Sequence, residues 1–155
     1  MRDRQQLQAD LNLPWLILAA MVLMLAGMVL ACEFAAEQIR PVAAAEQPVL
    51  IRSILYGVAI VTFPITNLLR YIMVRLNQTM PGDTPARSRY LMTVLVSLSL
   101  AESPGIFGFV LFVLGDDYNT LYIFSLLSLL AMYLYRPKPD EYQSIVDALD
   151  QQRAG

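Results

Sequence analysis

YLMTVLVSLSLAESPGIFGFVLFVL, residues 90–114, holds one charged side chain in 25 positions, Glu102, with Pro104 two residues later. A run of that length and polarity reads as a transmembrane helix, because about 20 apolar residues span the hydrocarbon of a bilayer. Glu102 lies 12 residues from Tyr90 and 14 from Asp116. At a rise of about 1.5 Å per residue those are about 18 and 21 Å, which puts the acid near the bilayer midplane. A charged carboxylate there costs at least about 2.5–3.5 kcal/mol on insertion scales, so it is expected to be protonated, paired or facing a wet cavity.

Three more apolar runs flank this one, and the predicted spans are about 14–36, 49–76, 87–114 and 118–135. Asn12 before Pro14 reads as the start of the first, with the proline where its missing N–H costs nothing. The second carries Pro64 in its interior and Asn67, Arg70 and Arg75 toward its end. The fourth has tyrosines at both ends, as an aromatic belt would, and Trp15 suits an interface in the same way. GDDYNT (115–120) is a short turn, so the last two spans should be antiparallel neighbours. The chain is 57% hydrophobic and 15% charged, against about 25% charged in an ordinary globular protein. These features predict an all-α, polytopic membrane protein with four transmembrane helices over residues 1–136 and a short amphipathic tail over 137–155.

Lys and Arg set the expected orientation. With the N-terminus in the cytoplasm, Arg2, Arg4, Arg70, Arg75, Arg87, Arg89, Arg136, Lys138 and Arg153 fall inside, and only Arg40 and Arg52 outside. That bias predicts that both termini face the cytoplasm of a bacterial-type inner membrane. VLAC (29–32) after an N-terminal arginine pair loosely resembles a lipoprotein signal, but Leu30 fits the pattern poorly. Cys32 is expected to stay uncleaved and to pack as a small residue. In the tail, Pro139, Asp140 and Glu141 mark a helix start. Tyr142, Ile145, Val146 and Leu149 then make one apolar face. That face either docks, on a protein partner or on the bundle's own end, or the tail frays.

Composition removes many functions. There is no histidine and one cysteine, which excludes His-based acid–base chemistry, Cys/His zinc sites and an intrachain disulfide. The net charge of −2 implies no nucleic-acid partner. No catalytic residue, metal site or cofactor is expected, and an enzyme is not the reading.

Glu102 is the outstanding candidate, as a proton- or cation-binding site; the alternative is a buried acid that hydrogen-bonds two helices together. Pro104 removes the hydrogen bond to the Leu100 carbonyl, and Pro64 does the same to Ile60 on the second span. Interrupted backbone at similar depth on two spans is an arrangement used at transporter ion sites. Ser99 and Ser103 supply local hydroxyls, while Thr62, Thr66, Asn67 and Arg70 are candidate partners on the second span. An Arg70–Glu102 pair would favour structure, and an unpaired Glu102 would favour reversible protonation. Arg70 is otherwise expected to snorkel to the interface, as Arg75 is. Glu33, Glu37, Arg40 and Arg52 read as solvated or mutually paired. Two small-residue stripes, Gly27/Ala31/Ala35 and Ser97/Ala101/Gly105, predict close helix packing within a bundle or between copies.

The segment 87–114 resembles the ion-carrying helix of the rotary ATP synthase c subunit, the proteolipid. Basic residues in the preceding loop, an apolar run, then LAES (100–103) and a glycine-containing apolar stretch carry the likeness. The resemblance implies that Glu102 is the ion-binding carboxylate and that Ser103 stands beside it. Phe107, where sodium-type members often have tyrosine, implies a proton. The second span has only Gly57 where that family's partner helix is glycine-rich, the Arg-Gln-Pro loop is absent, and the acid is on the third span. The expected functions are therefore a proteolipid-like proton-translocating subunit, or a non-catalytic accessory subunit of a larger membrane complex. Expected partners are the lipid bilayer and either other membrane subunits or further copies of the chain.

Overall fold

The computed structural model describes residues 4–39 and 49–154; Arg2 and Arg40 lie outside the described residues. The chain runs α1 (Arg4–Phe34), α2 (Ala36–Ile39), α3 (Val49–Thr79), α4 (Ala86–Val113), α5 (Tyr118–Leu134) and α6 (Pro139–Ala154), with no strand among the described residues. α1, α3 and α4 are each long and apolar enough to cross a membrane. α5 has 17 residues and makes a fourth candidate together with α6, across a bend of 41°. The protein is thus all-helical, with three to four candidate membrane spans.

α4 is the central element and lies against α1, α3, α5 and α6. Its contact with α5 is the most extensive because both helices put small residues at the crossing. A Cβ added at Gly108 would stand 2.6 Å from the Cβ of Phe124, and one at Gly105 would stand 3.2 Å from Ser128 Oγ and 2.5 Å from Leu25 Cδ1 of α1. Ser97, Ala101 and Gly105 are all buried, so the α4 stripe is used up within the chain. The α1 stripe is not: Ala31 is exposed and a Cβ at Gly27 meets nothing within 4 Å. Ala35 falls in the bend after α1. Gly108→Ala should therefore lower the midpoint of detergent-induced unfolding, by the equivalent of about 1–3 kcal/mol for overpacking. Gly27→Ala is the control and should leave it within about 0.5 kcal/mol of the parent.

Local chemistry sets the α4–α5 turn. Gly115 takes φ +99, where only glycine is unstrained. Its N–H donates to Phe112 O and that of Asp116 to Leu111 O, which closes the end of α4 in a Schellman motif. Asp117 then caps α5, accepting from the Thr120 N–H and hydroxyl at 2.9 Å each. Asp116, freed for other use, pairs with Arg52 at the start of α3.

At the opposite end the helix start expected at Asn12–Pro14 is not the one observed. α1 begins at Arg4 and runs through Pro14. The reason is tertiary: Leu7, Leu11 and Leu18 join a cluster with Tyr90 and with Tyr142, Ile145, Val146 and Leu149 of α6. The apolar face of α6 therefore docks on the bundle's own end. That packing, with the Tyr142 hydroxyl donating to Asp10 at 2.6 Å, offsets the one hydrogen bond Pro14 removes.

Candidate functional site

Glu102 is 5% exposed, one turn after Leu98 and one before Gly105 on α4. Around this level α1 contributes Leu25 and α5 contributes Ser128, whose hydroxyl donates to the Ala101 carbonyl at 2.8 Å. The side chains that α1 brings here are aliphatic, because its run from Leu13 to Ala31 has no charged residue. Glu102 Oε1 is consequently buried with no hydrogen-bond partner among the described residues. Such an atom is rare in folded proteins and asks for an explanation.

The hydroxyls and prolines expected to serve Glu102 do other work. Ser103 Oγ donates to the Leu100 carbonyl at 2.7 Å, the same acceptor that Pro104 leaves without its helical N–H. The backbone opened by Pro104 is thus re-satisfied locally, and α4 continues unbroken to Val113. Ser99 is exposed on the outer face of α4. Thr66 is buried and donates to the Thr62 carbonyl at 2.7 Å. Asn77 Nδ2 donates to Thr93 Oγ1, and Ala59 clusters with Leu111. Those contacts set the antiparallel register of α3 on α4, which brings Thr66 to the level of Pro104. The two prolines do stand at similar depth.

Arg70 neither pairs with Glu102 nor snorkels. It is 4% exposed and reaches across to the junction of α5 and α6. Nη1 donates to the Tyr135 carbonyl at 2.6 Å, Nη2 to the Arg136 carbonyl at 3.1 Å, and Nη2 and Nε to Glu141 at 2.7 and 3.1 Å. One guanidinium therefore holds the two carbonyls just past the end of α5 and the first turn of α6 together. The planar fork of arginine suits that task, and a single ammonium does not. Asn67, by contrast, is exposed and lines a cavity beside Arg70. At the far end Glu33 accepts from the Tyr122 hydroxyl, and Arg52 goes to Asp116 rather than to a carboxylate of α1. Cys32 is fully buried beside Phe112 and Leu121.

Two functional-looking groups were not singled out by the sequence reasoning. Ser125 Oγ is the other buried side-chain oxygen without a partner among the described residues. Ser128 opposite Ala101 and Phe124 opposite Gly108 set the α4–α5 register, and this places Ser125 within a turn of Gly105. The residues that carry the two orphaned oxygens therefore lie within about a turn and a half of each other along the bundle. The signal available was SLLSLL (125–130), two hydroxyls three residues apart in an otherwise apolar run. The second group is Arg89, buried and donating to the carbonyls of Asn77, Met80, Gly82 and Thr84. It closes the α3–α4 loop rather than lying in solvent.

Compared with protein-family models, curated proteins and solved structures, the chain matches none.

Proposed function

We propose that the protein is an integral membrane, proteolipid-like subunit in which Glu102 binds and releases a proton. The observation that carries this reading is the combination at one residue: a carboxyl in the middle of α4, buried, with Oε1 lacking a partner among the described residues. Arg70, the cation that could have neutralised it permanently, is committed to Glu141 and to the end of α5. A carboxyl in that setting is accommodated in its protonated form, and a proton-trading site needs a group that can be neutral there and charged elsewhere in its cycle. Ser103 supports the site by repairing the backbone beside it, and Phe107, packed on α3, restricts water. In this reading the termini lie in the cytoplasm, which the distribution of Lys and Arg favours.

A second reading has its own support. Gly27, Ala31 and Gly57 leave shallow, unfilled strips on α1 and α3. Small residues on an outward face suit contact with another membrane helix. An accessory subunit of a larger inner-membrane complex would use those strips, with Glu102 as a polar anchor.

Reaction with a hydrophobic carbodiimide in native membranes tests the first reading. Glu102 should be the residue modified, quickly at neutral pH and progressively more slowly as the pH rises, since the reagent needs the protonated acid. Inertness at every pH, with the membrane otherwise intact, would count against proton exchange.

A further inference from the structure

Where α3, α5 and α6 meet there is a cavity of about 620 Å³, inside the range of about 300–1,000 Å³ usual for small-molecule sites. Phe63, Val74 and Leu134 form its apolar walls, and Arg70, Lys138 and Asn67 bring donors to it. Two cations face one carboxylate there, because Glu141 is held by Arg70 and lies 3.7 Å from Lys138 Nζ. Two arginine–tyrosine pairs stand on the surface of the bundle: Arg75 over the ring of Tyr71, which lines the cavity, at 5.8 Å, and Arg136 over Tyr133, which lines the separate groove between α1 and α5, at 4.4 Å. Both tyrosines are exposed. Stacked arginine–tyrosine pairs at helix ends suit the headgroup level of a bilayer.

We infer that this cavity holds the headgroup of an anionic phospholipid. The net positive lining selects for negative charge, as basic pockets between membrane helices do. The walls select for lipid over a soluble anion. They run on toward mid-span into Ile60 of α3, on the same helix face as Phe63 and Asn67, and Leu130 of α5, one turn before Leu134, large apolar side chains that are exposed and along which an acyl chain can lie. The site requires only that the bundle sits in a membrane, and stands whether or not Glu102 exchanges a proton.

Delipidated protein in mild detergent, titrated with phosphatidylglycerol or phosphatidylcholine and read by native mass spectrometry, tests this. One phosphatidylglycerol should be retained per chain in preference to phosphatidylcholine. Lys138→Gln should reduce that retention about five-fold, the effect of one basic residue at an anionic lipid surface. Val74→Trp, which fills the cavity without touching a charge, should reduce it at least as much. Excess inorganic phosphate should not displace the lipid. Equal retention of the two lipids, or retention unchanged in both variants, overturns the inference. Displacement by inorganic phosphate overturns it too, and would make the cavity a site for a soluble anion.

Discussion

Replacing Arg70 with alanine should destabilise the protein by about 3 kcal/mol, the lower end of the range for breaking a buried ion pair. The lower end applies because Glu141 is 23% exposed and can recover some hydration. The loss has three parts: the Glu141 carboxylate left with Lys138 alone, and the Tyr135 and Arg136 carbonyls without the guanidinium donors just past the end of α5. Lysine at the same position should recover less than half, since one ammonium cannot reach two carbonyls and a carboxylate in this geometry. Glu141→Gln should cost about 1 kcal/mol, as the amide oxygen still accepts from the guanidinium. Unfolding by denaturing detergent, followed through Trp15 fluorescence, gives the ordering. Equal and negligible effects of all three, as for a surface charge, would mean that Arg70 snorkels and that the α5–α6 junction is held by packing alone. A protease-accessibility assay separates local from global loss: the α6 junction should open first.

What could be read from sequence and what could not divide along one physical line. The long apolar helices, the α4–α5 turn and the place of Glu102 within α4 depend on local quantities, namely apolar run length, turn chemistry and rise per residue. Each needs only neighbours in the chain. Where α1 starts was not legible, because the helix from Arg4 to Pro14 is held by α6, more than 130 residues away at the Tyr142–Asp10 contact. Arg70 failed for the same reason. Its partners are 65 to 71 residues downstream, and nothing periodic joins an arginine on one helix to the end of another.

The small-residue stripes show a different limit. Gly27/Ala31 and Ala101/Gly105 have the same spacing, and only the fold distinguishes the stripe buried against α5 from the one left facing outward. Ser125 is harder again. A hydroxyl in a membrane helix usually returns to its own backbone, as Thr62, Thr66 and Ser97 do here, so one that does not is visible only in three dimensions.

Glu102→Gln should separate the two functional readings because only one of them has a proton leave and return to this side chain. If the carboxyl is a proton carrier, its protonated form is already neutral in the folded protein, and glutamine reproduces that form in shape and charge. Stability in detergent should then stay within about 1 kcal/mol of the parent, since Oε1 has no hydrogen bond to lose among the described residues. Carbodiimide labelling should vanish, and so should any proton uptake by the protein, or by the complex containing it, reconstituted in vesicles. Glu102→Asp should keep partial labelling with a shifted pH dependence, because the shorter side chain moves the acid without removing it. An interhelical anchor predicts another pattern: glutamine hydrogen-bonds as well as or better than the acid, alanine costs about 1–3 kcal/mol, and proton movement is the same in all variants. Unchanged proton movement in Glu102→Gln would remove the carrier reading by itself. The outcome would also bear on Ser125, the other buried side-chain oxygen without a partner among the described residues: Ser125→Ala should slow proton exchange at Glu102 if the two share a path, and should leave it unaltered if Ser125 only fills space between α5 and its neighbours.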